Sequence, residues 1–451
     1  MTYQVPQHID RNKIFIINRS EIEGRLEPEF YRPSIATLEK HIRSLATHRL
    51  RDYAIYIAGG ATPKKTEADK YYTDSVSGIP FLRVQNLQTT GELSLDDCVY
   101  INKDTHNGLL QRSQVAEGDL LVKITGVGRM AIASVAPKGF VGNTNQHMVV
   151  IKTGDATVSK YLARYLNLDI IERIASRHST GGTRPALDYP SLKNLPIIEG
   201  IDFSMIDEAI ILKQQKEQKA EDILNSIDDY LLGELDIKLP ETKLQTLQDR
   251  IFTVNISEIR DGRMDPKSVL FLGEHAKSET YENIQLKQIA TIVKGDSITS
   301  DKVNKDGQYP VIAGGQTSPY NHDKYNFKGD VITVSASGAY SGYVWYHDNP
   351  IFASDCSVIH SKNGQFLTKY LFAVLKTQQS LIYLLQQGAG QPHVYPDDLG
   401  QLWIPVVSLP KQQEIVNHIT GMRMQAKQLQ AEGAEILQKA KSEVERMILG
   451  N

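Results

Sequence analysis

"EGDLLVKITGVG" occupies residues 117–128 and "KGDVITVSASGA" residues 328–339. Each joins a Gly-Asp turn to a β-branched, apolar strand and then to a Gly-containing loop, the composition of a buried strand that delivers a surface loop. The likeness extends outward in the same order on both sides. "NRSEIEGRLEPEFY" (18–31) returns as "NISEIRDGRMDPKS" (255–268), and "SKYLARYL" (159–166) as "TKYLFAVL" (368–375). "GGTRPALDYPSLKNLPI" (181–197) has a looser counterpart in "GAGQPHVYPDDLGQLWIPV" (389–407). Echoes that keep their order along the chain mark one module written twice and then diverged.

A different text follows each module. Ile206, Ile210, Ala220, Leu224, Ile227 and Leu231 fall on alternating steps of three and four, with Lys213 and Glu217 on the same stripe. Ile415, Ile419, Met422, Ala426, Leu429, Gly433, Ile436, Ala440, Val444 and Met447 repeat that spacing with one four-four step. Alternating threes and fours is the 3.5-residue repeat of a coiled-coil seam, so two long helices are expected. A helix from Asp202 to Leu235 would reach about 50 Å at 1.5 Å per residue, beyond the body of a module this size. Its projecting stripe needs a partner, and the other long helix carries the matching repeat. Within the modules, "GIPFLRVQNL", "MVVIK", "DVITVSAS" and "GYVWYHD" read as short strands, and closing helices are expected over 159–176 and 368–387. The resulting class is α+β: first module 1–200, first long helix 201–236, linker and second module 237–409, second long helix 410–451.

The 451 residues, 41% hydrophobic and 23% charged, suit a soluble globular protein of two to four domains. Cys98 and Cys356 stand far apart, outside any C-x-x-C or Cys/His cluster, which points to a reducing cytoplasm and no structural zinc. No signal peptide or membrane-spanning run is legible. The net charge of −3 hides an asymmetry, since residues 201–253 carry 6 Lys+Arg against 12 Asp+Glu while the flanking blocks are near neutral.

Catalytic signatures are missing. There is no phosphate-cradling G-x-x-x-x-G-K-[ST], no G-x-G-x-x-G around "TGVGRM" (125–130), and no polar-Pro-Pro-aromatic loop of an amino methyltransferase. "PETK" (240–243) offers Glu241 and Lys243 to a metal-dependent nuclease but lacks a partner Asp on a preceding strand. The loops instead hold groups suited to reading hydrogen-bond edges. In the first module these are Arg83, Gln85, Asn86, Lys123, Thr125, Arg129, Asn143, Asn145, Gln146 and Arg184. In the second they are Lys294, Gln316, Thr317, Ser335, Ser337, Tyr340, Tyr343, Asp355, Gln391 and His393. Arg and Lys donate to guanine O6 and N7, Asn and Gln pair with adenine, and Asp accepts from cytosine. His147 is a further hydrogen-bonding candidate. As a set these residues favour recognition of DNA over catalysis, while a coiled-coil scaffold with protein-binding modules would use the same polar, Tyr-rich surface.

"NLPI" and "IPVVSLPKQQEIV", leading into the two helices, resemble the specificity subunit of type I restriction-modification systems. Pro405, Leu409, Pro410, Gln413 and Ile415 fit the family's helix-initiating phrase, and "ILNSIDDYLLGELDI" (223–237) looks like the end of its first conserved helix. The first helix departs from the pattern, being approached through "IIEGIDFSMIDE". The resemblance implies two target recognition domains, each entering the major groove of one half of a bipartite double-stranded DNA site. It implies an antiparallel coiled coil that sets the spacer, at most roughly fifteen base pairs for a helix of about 50 Å. It also implies a non-catalytic, cytoplasmic chain serving phage defence. Methyltransferase subunits would dock on it carrying S-adenosylmethionine, with a restriction/translocase subunit where the system has one, and this chain would hold no cofactor or metal.

Overall fold

The computed structural model describes residues 6, 8–239, 253, 255, 276–299, 302–388 and 390–450. Apart from Asn255, the second copy of the opening stretch (255–268) lies outside the described residues, as do Glu241 and Lys243. The first module contains strands β1 (Tyr56–Gly59), β2 (Ile79–Leu82), β3 (Leu120–Lys123), β4 (Ala133–Val135), β5 (Val141–Thr144) and β6 (Met148–Lys152). Around them are helices α1 (Pro33–Leu45), α2 (Ala156–Leu166) and α3 (Asp169–His178), followed by the long α4 (Ser204–Glu234). The second module contains β7 (Ala290–Lys294), β8 (Tyr309–Ile312), β9 (Val331–Ser335), β10 (Val344–His347), β11 (Phe352–Ala353) and β12 (Cys356–Ser361). Helices α5 (Thr368–Thr377) and α6 (Gln379–Leu384) precede the long α7 (Leu409–Leu449).

The duplication read from the sequence is built into the backbone. One sheet runs β1-β6-β3-β4 and its counterpart β7-β12-β9-β10, all neighbours antiparallel. In each module a second sheet contains a parallel pair, β2 with β5 and β8 with β11. The Tyr of each "KYL" spans the same gap: Tyr161 Oη donates to the Ile198 carbonyl at 2.6 Å and Tyr370 Oη to that of Pro405 at 2.8 Å. β3 and β9 are buried along their whole length, as continuous β-branched and leucine runs require, and lie in the central layer of their sheets.

Each closing helix expected as one piece is two. The chain breaks at Asn167, whose side-chain Nδ2 donates to the Ala133 carbonyl at 2.7 Å while its Oδ1 accepts from Ala133 N at 3.1 Å. It breaks again at Gln378, almost wholly buried, whose amide donates to the Trp403 carbonyl at 3.1 Å. A side-chain amide that completes a strand edge holds its residue in a bend that a straight helix would not allow.

The chain resolves into two compact units, residues 1–216 with 431–451, and 217–430, so α4 and α7 are divided between them. In the first unit Ile206, Ala209 and Ile210 of α4 share one core with Leu437, Ala440 and Val444 of α7 and with the first module. Lys216 pairs with Glu432 at 2.6 Å. A Cβ on Gly433 would sit 3.3 Å from Lys213 Cα, so the two backbones approach as closely there as a glycine permits. In the second unit Ile227, Leu231 and Leu235 pack with Ile415, Val416 and Ile419, Tyr230 stacks on His418 at 4.1 Å, and Glu234 pairs with Lys411. Within each unit higher numbers on α4 meet lower numbers on α7, which is antiparallel pairing.

The seam departs from the expected stripe at two places. Leu224 is 40% exposed and the half-buried Ile223 takes its turn, while Met447 is exposed and Ile448 is half-buried. A helix of 3.6 residues per turn drifts away from a strict 3.5 repeat, and here the drift moves the buried position by one residue. Ile206, Ile210, Ile227, Leu231, Ile415, Ile419 and Val444 are buried, and Met422, Leu429 and Ile436 are half-buried. The phrase that starts α7 has a mechanical purpose: Gln412, fully buried, donates to the carbonyls of Gln365 and Val407 at 3.0 Å and accepts from Leu367 N at 2.8 Å.

The opening stretch 18–31 fastens onto α1 and α3. Phe30 lies between two guanidiniums, with Arg25 4.5 Å and Arg177 4.4 Å from its ring centroid. Behind it Glu39, 3% exposed, accepts from Arg43, Arg177 and His178. Burial pushes this carboxyl up, but the bonds from His178, Arg177 and Arg43 outweigh it and bring it down to about 2. A depressed carboxylate stabilises the fold above its unfolded value near 4.5 and loses that contribution as pH falls towards 2. Glu39 should therefore contribute about 3 kcal/mol to the stability that urea unfolding shows being lost between pH 5 and pH 2, beside the losses from the other depressed carboxylates, Asp169 and Asp207 among them. Glu39→Gln should make the loss smaller by about that amount, and an unchanged pH slope in the variant would show that Glu39 contributes nothing to it.

Candidate nucleic-acid interface

In both modules one end of the central sheet gathers three loops through the same backbone bonds. The loop after β3 meets the chain before β6 where Ile124 N donates to the His147 carbonyl at 2.9 Å; after β9, Ala336 N donates to the Asp355 carbonyl at 3.1 Å. Gly126 N donates to the Pro185 carbonyl and Gly338 N to the Pro392 carbonyl, both at 3.0 Å. Leu187 N returns to the Ile124 carbonyl at 2.8 Å and Val394 N to that of Ala336 at 2.9 Å. Thr180 and Ala186 exchange a pair of 2.8 Å bonds, as do Gln387 and His393. Bridges join Thr125 to Ala186 and Ser337 to His393.

These bonds equate Thr125 with Ser337, His147 with Asp355, Arg184 with Gln391, and Ala186 with His393. The loops come together because glycine lets them. At the end of β1, Gly60 lies so close to the chain before β6 that an added Cβ would overlap the Thr144 carbonyl and stand 2.6 Å from that of Asn145. Gly295, at the end of β7, would collide with the Ser354 carbonyl and approach that of Ala353 at 2.7 Å.

The structure sorts the residues singled out in the sequence. In the first module Gln146 and Arg184 are exposed and meet: Arg184 donates to His147 Nε2 at 3.2 Å, and Gln146 lies 3.4 Å from the same nitrogen while bonding Thr62. Burial, then the Arg184 charge, pull the His147 imidazole below its ordinary value, so a neutral ring accepts from Arg184. Thr125 is half-buried beside them and Gln85 is exposed.

Other residues of that set are corrected by their placement. Asn86 and Asn143 are 0% exposed, because Asn86 closes a turn by donating to the Ser94 carbonyl at 2.9 Å and Asn143 links His106 to the Leu110 carbonyl. Lys123 is 3% exposed, its ammonium donating to the Val127 carbonyl at 2.8 Å, and burial pulls it below the usual lysine value. Asn145 is buried and accepts from His147 N at 3.1 Å. Arg129 and Arg83 are half-buried, Arg129 donating to Asp169 and the Asn167 carbonyl and Arg83 to the Asp97 carbonyl at 2.6 Å. The buried groups Asn86, Lys123, Asn143 and Asn145 are turned into the module.

In the second module Lys294, Gln316, Thr317, Asp355 and Gln391 are exposed and Tyr340 is 48% exposed. Asp355 accepts from Ser337 Oγ and, with Lys294, lines an open cavity of about 310 Å³. His393 is half-buried, its ring stacked 6.2 Å from Tyr395. Ser335 is buried, its hydroxyl turned to the Ala313 and Gly315 carbonyls, and Tyr343 is half-buried under the Lys376 ammonium at 4.0 Å. Both are turned from the exposed rim of the loops.

Sequence reasoning missed Thr62 and the part of His147 in holding Arg184; the "GGAT" run at 59–62 was the available signal. Arg25 was also missed. It donates to the Ser179 carbonyl at 3.0 Å and so ties the opening stretch to the base of the loop that carries Arg184. Among the described residues no group of three or more His, Cys, Asp or Glu could hold a metal ion, and no helix is long and apolar enough to cross a membrane.

Residues 278–431 match the family model described as Type I restriction modification DNA specificity domain. A putative type I specificity subunit of Mycoplasma pneumoniae is 27% identical over 168 residues, 33% of this chain and 66% of that protein. A second from the same organism is 30% identical over 167 residues, 33% of this chain and 60% of that protein. The chain thus spans less than two thirds of the length of these relatives. Among solved structures, the S subunit of a type I restriction-modification system from M. genitalium aligns over 89% of this chain and 95% of its own, with 15% identity and a TM-score of 0.41. The HsdS subunit of Thermoanaerobacter tengcongensis aligns over 89% and 96%, with 13% identity and a TM-score of 0.34.

Proposed function

On the premise that the chain belongs to the family of type I restriction-modification specificity subunits, we propose that it is the non-catalytic, DNA-reading subunit of such a complex. Each module presents its three-loop end to the major groove of one half of a bipartite site. The paired α4 and α7 set the spacer and carry the methyltransferase subunits, which bring S-adenosylmethionine. The observation that carries this reading is the repeated loop scaffold. One set of backbone bonds recurs in both modules, while the side chains it displays differ, as two readers of unlike half-sites require.

The charge of the chain fits a shared task. Phosphate neutralisation supplies most nonspecific affinity for DNA, and a net charge of −3 leaves that to the methyltransferase subunits. A helix of 31 residues, the length of α4, is about 46 Å long, the length of about fourteen base pairs, and this is the spacer that such a ruler would allow.

The test is a module exchange in the native host. Residues 254–409 are replaced by the matching segment of another specificity subunit, and methylated adenines are mapped across the genome. One half of the recognised sequence should change while the other half is kept. Changes in both halves, or methylation indifferent to this gene, would defeat the reading.

A further inference from the structure

The equivalence of His147 with Asp355 is hidden in the sequence, because Gln146 adds a residue to the first loop. Asn145 N bonds the Leu82 carbonyl at 3.1 Å as Ser354 N bonds that of Ile312 at 2.7 Å, and His147 and Asp355 then bond the Ile124 and Ala336 amides alike. The two positions sit at the same point of the same scaffold. Their chemistry is opposite.

In the first module the imidazole of His147 accepts from Arg184 and holds that guanidinium at the exposed rim, leaving its remaining N–H groups to donate outward. In the second, Ser337 Oγ donates to one oxygen of the exposed Asp355, which fixes the carboxylate and leaves acceptor capacity facing the cavity beside Lys294. Gln391, the counterpart of Arg184, supplies an amide with both a donor and an acceptor.

We infer that this matched position sets the hydrogen-bond polarity of each half-site: Arg184, positioned by His147, reads the O6/N7 acceptor edge of a guanine, and Asp355 reads a base through its exocyclic amino group. The inference rests on the DNA-reading function proposed above and adds to it the class of base that each module selects. A guanidinium fork matches the two acceptors of guanine, and a carboxylate matches the amino donor of cytosine; adenine offers the same donor, and the mapping tells them apart.

The gene is replaced in its native host by Asp355→Asn or Arg184→Ala, and methylated sites are mapped genome-wide. Asp355→Asn keeps the shape and the bond from Ser337 but adds a donor. It should cut the preference for the amino-bearing base at one position of one half-site by roughly 5- to 150-fold, the range for one good base contact. Arg184→Ala should do the same to a guanine in the other half-site. The spacer and remaining positions should stay as they are.

An unchanged recognition sequence in both variants overturns the inference, and so does relaxation at a guanine by Asp355→Asn. Should Asp355→Asn abolish methylation, Asp355→Glu decides: recovery of the original sequence supports the assignment and failure to recover overturns it. Absence of a bipartite sequence in the unmodified strain would instead be a failure of the proposed function, a different outcome from any of these.

Discussion

Inserting seven residues after Gln218 in α4 and seven after Gln428 in α7 is expected to lengthen the spacer of the recognised DNA by about three base pairs and leave both half-sites intact. Seven residues are two turns of a coiled-coil repeat, so the buried stripe beyond each insertion returns to its partner. They add about 10.5 Å at 1.5 Å per residue, against about 3.4 Å per base pair. The insertion points lie between the Lys216–Glu432 pair and the Tyr230–His418 stack, away from the module cores. Four residues inserted after Gln218 alone should abolish site-specific methylation, because a 3.6-residue helix then turns its following stripe by about 40° against an unaltered partner. Mapping methylated adenines reads both experiments. A doubled insertion that altered the half-site bases, or lengthened nothing, would mean that the helices are not the ruler.

The second large effect concerns the glycines beneath the loops. Gly60→Ala and Gly295→Ala each force a methyl group into a carbonyl oxygen of the neighbouring chain, backbone against backbone, where no side chain can swing away. Gly60 is buried and Gly295 half-buried, and each substitution should destabilise its own module by about 3 kcal/mol, the upper end of the usual cost of overpacking. Gly182→Ala and Gly390→Ala are the controls, since nothing stands within 4 Å of a Cβ at either glycine, and they should fall within about 0.5 kcal/mol of the parent protein. Urea unfolding of the four variants makes the comparison. If Gly60→Ala unfolds with its control, the loops are not held by that contact, and the shared loop scaffold of the two modules loses its structural basis.

Much of the architecture was open to inspection in the chain itself. The ordered echoes declared a duplicated α+β module, and the threes and fours from Ile206 and from Ile415 declared two long helices with matching seams. Both signals are periodic, and periodicity is local: it says which face of an element is apolar wherever that element ends up. Even there the step at Leu224 was off by one residue, because the drift of a real helix against a 3.5 repeat depends on the partner it lies upon.

The proposed reading surface was legible only as a list of polar loop residues, and the fold divided that list. Asn143 reaches His106 and Leu110, dozens of residues away, and disappears into the interior; Arg184 finds His147 and stays outside. A loop side chain has no period to mark its direction. Whether it satisfies a buried backbone group or faces a ligand is decided when distant segments meet, since most buried donors and acceptors find a partner within the fold. The pairing of His147 with Asp355 belongs to the same class. One inserted residue conceals it along the chain, and backbone hydrogen bonds, which follow space and not sequence position, reveal it.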